Sequence, residues 1–309
     1  MLNKIVSTCE YVVNNSKHVK INNKKIDKTI EKLKNIKIEH WLQCNPYNLL
    51  ELDIEELVNF LIIYGSIDYS FWGEPKWTIK TEKGSEDGAF ALIKSLLDLK
   101  KYKGHLNFEK ITYEEFKKYL TGNIEIPLIE ERYKTVLEVS KIINKKMNGN
   151  FYKYIKDITK DEELFTLIIN YFPSFKDKRT YKGKTIYFYK LAQLVTSDIL
   201  HIREYKEKIK IDYTNLLGCA DYKIPQALRA LGILEYDEKL SQLVDNKIEL
   251  KENSIYETEI RANMIIAISR LKEKLNGVCS IDINDMIWVL SHDKSLNLKP
   301  YHRTRTTSY

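Results

Sequence analysis

Proline and glycine are scarce, with 6 and 11 among 309 residues. So few chain breakers exclude a collagen-like or loop-dominated protein and leave room for long uninterrupted elements. Cysteine is scarcer still: Cys9, Cys44, Cys219 and Cys279 are too far apart for a CxxC pair and too few to staple a chain of this length. A reducing compartment, the cytoplasm, is expected. No apolar run approaches the ~18–20 residues that a membrane helix needs, and Met1-Leu2-Asn3-Lys4 lacks the apolar core of a signal peptide. Nor is there a large excess of one charge. Fifty Lys and Arg against 43 Asp and Glu leave +7, and because the lysines are scattered, this balance permits an anionic partner without identifying one. HExxH, GxSxG, Walker A and Rossmann glycine patterns are also missing, so neither a metal nor a nucleotide cofactor is expected.

What remains is 43% hydrophobic and 30% charged, the mix of a globular chain. At roughly 100–200 residues per domain, the length suits one large domain or two small ones. Apolar residues mostly recur at spacings of three and four, which predicts a mainly α fold with a minor β element. Leu50, Ile54, Leu57, Val58, Leu61 and Ile62 form one stripe, with Asp53 and Glu56 at capping-box spacing. Thr112 and Glu115 repeat that signature. Further helices are predicted at about 130–147, 161–171 and 188–205, and another carries Ile260, Met264, Ile268, Leu271 and Leu275 before Gly277. Trp77-Thr78-Ile79 and Thr185-Ile186-Tyr187-Phe188 have strand composition. Lys80–Gly88 and Lys145–Gly149 are predicted as loops or turns.

The most informative run is Leu216-Leu217-Gly218-Cys219-Ala220-Asp221-Tyr222-Lys223-Ile224-Pro225-Gln226-Ala227-Leu228-Arg229-Ala230-Leu231-Gly232. Pro225 suits the first turn of a helix and Gly232 its C-terminal stop, so Asp221 stands just ahead of a helix N-terminus. An Asp there ordinarily caps the helix, a contact worth ~0.5–2 kcal/mol.

That run resembles the signature of the queuosine salvage proteins, the queuosine 5′-phosphate N-glycosidases, with its Ala-Asp-Tyr-Lys-Ile-Pro-Gln block. The resemblance continues in Phe172-Pro173-Ser174-Phe175-Lys176-Asp177, Tyr181-Lys182-Gly183 and Phe188-Tyr189-Lys190-Leu191-Ala192-Gln193. Downstream it runs through Glu259-Ile260-Arg261, Asp285-Met286-Ile287-Trp288 and Pro300-Tyr301-His302-Arg303-Thr304-Arg305, and upstream it includes Ile67-Asp68-Tyr69-Ser70-Phe71-Trp72. It implies that residues 1–309 form one domain, an N-terminal half packed on a catalytic C-terminal half. The Asp-initiated helix also resembles that of helix-hairpin-helix DNA glycosylases, an analogy of fold.

The resemblance implies hydrolysis of queuosine 5′-phosphate to queuine and ribose 5-phosphate. Breaking the C1′–N bond gathers positive charge on the sugar, where a carboxylate is stabilising. Asp221 is the candidate, as an electrostatic partner, a base for water or a nucleophile. Lys190 is expected to hold the phosphate or to keep Asp221 ionised. Trp288 is expected to stack on the base and Asp293 to accept from its guanine-like edge, while Ala220 and Tyr222 contact the substrate beside Asp221. His18 is a candidate for the queuine diol. His302 and Arg303 are expected near the phosphate or behind Asp221, in a tail that folds back. Phe71, Trp72 and Trp77 suit core or pocket wall. The expected partner is this small molecule, with neither nucleic acid nor membrane; the competing readings are a nucleic-acid-binding or lesion-glycosylase-like protein and a non-catalytic queuine carrier.

Overall fold

The computed structural model describes residues 1–34, 36, 40–82, 84–105, 107–292 and 296–309. Its described elements begin with α1 (Leu2–Asn15), β1 (Val19–Ile21), α2 (Asn23–Leu33), α3 (Ile54–Ser66), β2 (Thr78–Thr81), β3 (Gly84–Asp87) and α4 (Gly88–Lys103). There follow α5 (Tyr113–Leu120), α6 (Ile129–Lys146), α7 (Phe151–Ile155), α8 (Asp161–Tyr171), β4 (Lys178–Tyr181), β5 (Lys184–Tyr187) and α9 (Lys190–Glu207). The chain continues with α10 (Lys223–Ala230), β6 (Leu234–Tyr236), α11 (Glu238–Asp245), α12 (Ile255–Lys272) and α13 (Ser280–Leu290). The fold is mainly α, with minor two-stranded antiparallel ribbons β1–β6, β2–β3 and β4–β5.

The helix starts follow the local chemistry. Asp53 accepts the Glu56 N–H at 2.8 Å ahead of α3, and Leu50 falls in a short 3-10 turn before it. Thr112 and Glu115 form a reciprocal capping box at α5. The stretch 80–88 departs from expectation, because Gly84–Asp87 pairs with Thr78–Thr81 instead of looping. Gly-Ser-Glu-Asp has no β-branched residue to announce a strand. Backbone pairing makes it one, with Gly84 at φ 122°.

Two helices are buried nearly all round. In α12, Ile260, Met264, Ile268 and Leu271 are core, as the stripe predicts, yet Glu257, Glu259 and Arg261 are buried as well. α9 likewise buries Lys190, Gln193, Asp198 and Arg203 among its apolar residues. α1 packs on α12, and α3 packs on α9. The second pair lies so close that a Cβ on Gly65 would sit 1.8 Å from Val195 Cγ2. Charged groups in such surroundings need partners or a purpose: Glu259 accepts the His18 N–H and Arg203 donates to the Ile155 carbonyl, while Lys190 lines a cavity. No described helix is long and apolar enough to cross a membrane.

Candidate active site

A cavity of about 240 Å³ lies where α3, α4, α9, α10 and α13 converge, with Trp72 and Tyr301 on its wall. Asp221, Lys190, Tyr222, Trp288 and Asp285 all line it, together with Trp41 and Phe90. Flat aromatic surface therefore alternates with a small number of charged groups, the composition of a small-molecule pocket.

Asp221 ends an irregular segment that other elements fix through its backbone. Asp161 of α8 accepts the N–H groups of Asn215 and Leu216 at 2.8 Å each. Gln193 of α9 accepts from Leu217 at 2.8 Å, and Asn284 of α13 accepts from Cys219 at 2.9 Å. Arg261 of α12 donates from Nε to the Ala220 carbonyl at 2.8 Å. Gly218 is required where this segment crosses α12, since a Cβ there would come within 2.4 Å of Ile268 Cδ1. Asp221 Oδ1 then accepts the Lys223 and Ile224 N–H groups at 2.9 Å each, so the carboxylate does cap α10. Both bonds end on one oxygen, which leaves Oδ2 for a ligand. Burial raises the Asp221 carboxyl above the usual carboxylate range, and the Lys190 ammonium and the two cap bonds pull against that rise.

Lys190 is the first residue of α9 and is placed there by its neighbours. Tyr189 adopts left-handed backbone, φ 52°, and Asp177 accepts the Lys190 N–H at 3.2 Å. Its Nζ, almost wholly buried, donates to Asp68 Oδ2 at 2.9 Å and to the Asp68 carbonyl at 3.2 Å. Tyr64 donates its hydroxyl to the other Asp68 oxygen at 3.2 Å. Burial opposes the Lys190 charge, but the Asp68 and Asp221 carboxylates outweigh it and raise its pKa. Lys190 Nζ is thus held by Asp68, and its charge also bears on Asp221.

Asp177 links both residues. It accepts from Arg261 Nη1 at 3.0 Å and from Arg179 Nη1 at 3.2 Å, while Glu257 takes Arg179 Nε at 2.8 Å and Arg261 Nη1 at 3.3 Å. Through one buried cluster, Asp177 orients the start of α9 and, by way of Arg261, the carbonyl before Asp221. The sequence blocks around 177, 190, 221 and 261 are therefore neighbours in space.

The other expected residues are distributed as follows. Tyr222 and Trp288 face the cavity; Ala220 is wholly buried behind it. The tail does fold back, with Leu250 N–H bonded to the Arg303 carbonyl at 2.7 Å and Ser70 Oγ–H to the Thr306 carbonyl at 2.6 Å. Arg303 pairs with Glu74 at 2.6 Å. His302 lies behind Tyr309, its Nε2 3.4 Å from the tyrosine hydroxyl, and burial, aided by Arg261, lowers its pKa to about 3. It is neutral, which does not suit a phosphate contact. Both residues support the wall formed by Trp72 and Tyr309. His18 stands at the entry to β1, outside the cavity lining, with Nδ1 2.6 Å from Asp237 Oδ2 and its ring 4.6 Å from that of Tyr256. A carboxylate that also caps α11 holds it there, away from the other expected residues. Asp293 lies outside the described residues.

Sequence reasoning missed Lys76 and Lys223, which line the cavity near Tyr301, and Asp285, one helical turn before Trp288. It also missed the function of Asp68. Lys76 pairs with Asp87, also of the lining, at 3.0 Å, and burial, followed by the Lys76 charge, lowers the Lys223 pKa. Among the described residues, no group of three or more His, Cys, Asp or Glu is arranged to hold a metal.

A carboxylate fixed at a helix start, a buried lysine and aromatic walls around a cleft define an enzyme-type pocket for a small molecule. The chain belongs to the queuosine salvage protein family, whose sequence model matches residues 48–309. It is 31% identical over 265 residues to the queuosine 5′-phosphate N-glycosylase/hydrolase of Sphaerobacter thermophilus, covering 82% of each chain. The protein of the same name from Dictyostelium discoideum is 28% identical over 327 residues, 100% of this chain and 99% of its own. The one from Bos taurus is 27% identical, covering 98% and 97%.

Proposed function

We propose that the chain hydrolyses the N-glycosidic bond of queuosine 5′-phosphate, releasing queuine and ribose 5-phosphate. The observation that carries this reading is the meeting of Asp221 and Lys190 on one cavity wall, with Asp221 held through Oδ1. The C1′–N bond breaks with its electron pair going to the base, positive charge builds on the ribose, and Asp221 Oδ2 stands beneath it. A water oxygen then bonds to C1′ and loses one proton, and the departing base gains one at the nitrogen that had held the sugar, so that water's OH ends on ribose 5-phosphate and a hydrogen on queuine. Lys190 keeps Asp221 ionised despite burial. Lys76 and Lys223 face the 5′-phosphate, while Trp288, Trp41 and Phe90 hold the heterocycle between their rings. Ala220 acts through its backbone and Tyr222 as wall. The whole chain works as one unit, because both halves line the cavity. A cytoplasmic site of action fits the free thiols of Cys9, Cys219 and Cys279.

The test is direct: purified metal-free protein is incubated with queuosine 5′-phosphate or queuosine, and free queuine is followed. The nucleotide is expected to react faster, because Lys76 and Lys223 have no anion to meet in the nucleoside. Asp221→Asn, whose amide oxygen can still cap α10, should bind substrate but lose at least ~100-fold in kcat. Full activity in that variant overturns the assignment of Asp221. Tight binding of queuine with no turnover by the unaltered protein would make it a carrier.

A further inference from the structure

Two carboxylates in different surroundings line the cavity, Asp221 and Asp285. Lys223 is influenced by Lys76, Asp221 and Asp87, and Asp221 by Lys190 and Asp68. Asp285 is influenced instead by Asp198 and Asp282, while Cys219 senses Lys190, Asp221, Asp285 and Asp198 together. Neither Asp285 nor Asp198 has a Lys or Arg partner in contact among the described residues, although His40 Nε2 lies 3.2 Å from Asp198 Oδ1 and the Lys190 charge bears on Asp198. Asp285 accepts from the Asn284 amide at 3.2 Å, and among the described residues no Lys or Arg nitrogen lies within 4 Å of it. Behind the Trp41 wall, Asp198 accepts the indole N–H at 2.9 Å, yet its Oδ2 is fully buried without a hydrogen-bond partner. Burial, reinforced by Asp198 and Asp282 against the Asn284 amide, pushes the Asp285 carboxyl up to about 8. A cation arriving beside it would offset that cost, and Trp288, one helical turn on, lines the same cavity.

A queuosine nucleotide is charged in the complementary sense. Its phosphate is at one end, and a secondary amine, protonated at neutral pH, sits in the arm on the 7-deaza carbon at the other. Resting on the hydrolase reading above, we propose that Asp285 is the specificity-determining group for the base, taking the ammonium of the queuine arm at the cavity wall one helical turn before Trp288. Asp285 thereby distinguishes the arm-bearing base from a bare 7-deazaguanine. Asp221 and Lys190, with their own set of neighbouring charges, serve the sugar whatever the base carries.

The test compares queuosine 5′-phosphate with 7-deazaguanosine 5′-phosphate, which keeps the ring, sugar and phosphate but lacks the arm. Asp285→Asn is expected to lose about 10- to 100-fold in kcat/KM on the first, mainly through KM, and less than about 3-fold on the second. Asp285→Ala should give the same pattern. Dissociation constants of free queuine and 7-deazaguanine repeat the comparison without turnover: the unaltered protein should prefer queuine, and Asp285→Asn should not. Equal losses on both nucleotides would make Asp285 part of the bond-breaking machinery, and unchanged values on both would remove it from recognition; either result overturns the proposal. If the unaltered protein cleaves neither nucleotide yet prefers queuine through Asp285, the hydrolase reading fails and the assignment of Asp285 stands. A melting temperature for Asp285→Asn no lower than that of the unaltered protein separates these outcomes from misfolding.

Discussion

Around α12 and around the inner face of α13 the protein buries carboxylates in opposite ways. Asp177 and Glu257 are gripped by Arg179 and Arg261. For Asp177, burial alone would raise the pKa, but Arg261 and Arg179 bring it below the usual range. Asp285 instead feels the like charge of Asp198, and burial drives both carboxyls upward. The difference separates holding from waiting. Paired charges spend their hydrogen bonds on the backbone that carries Asp221 and Lys190, whereas unneutralised carboxylates at a cavity are available to something that is not protein.

Four changes would break or sharpen that contrast. Arg261→Met leaves Asp177 and Glu257 short of a buried cation and releases the Ala220 carbonyl; a loss of ~3–5 kcal/mol in denaturant unfolding is expected, along with most of the activity. Lys190→Met should spare the fold more and act on the pH profile. Asp221 must be ionised and its pKa is already raised, so the rate falls as pH drops through that pKa, and without the lysine this acid limb should move to higher pH. Third, buried histidines make the fold acid-sensitive. Burial lowers His40 to about 3 and, with help from His40, His201 to about 4; His302 is at about 3. Because the unfolded chain binds these protons more readily, stability is full above pH ~6.5 and drains away as pH falls toward the folded values. Melting curves from pH 7 to 4 should show this, with a shallower slope in His302→Gln. The smallest effect is that of Asp285→Asn on the free protein. A carboxyl with a raised folded pKa opposes folding increasingly as pH climbs from its unfolded toward its folded value, so the amide should gain about 1–3 °C at pH 8 and nothing at pH 4.

Much of this architecture was legible in the sequence. Capping signatures at Asp53 and Thr112 mark real helix starts, and helices expected at 130–147, 161–171 and 188–205 occur within about two residues of those bounds. Asp221 stands at its helix start as read. What stayed hidden depends on pairing across long stretches of chain. Arg261 meets Asp177 and Glu257 only after folding, and a helix buried on all sides reads as a single stripe when its charged residues are taken to be outward. Asp68 gains its meaning only when Lys190, 122 positions away, is seen against it. His18 looked like a ligand-facing residue because Asp237, its partner, is remote in sequence. Asp285 was in plain view beside Trp288, but only its surroundings distinguish it from a solvated carboxylate.

The double duty of Asp221 bears on how such a molecule can decay. Because one of its oxygens begins α10, a descendant that no longer needs the reaction would still be penalised for discarding the residue, and the side chain can outlive its purpose. Asp285 has no such anchor, and its removal makes the empty protein easier to keep folded. Drift should therefore erase the reader of the base before the residue under the sugar, and a homologue with the first gone and the second intact would be one whose diet has changed.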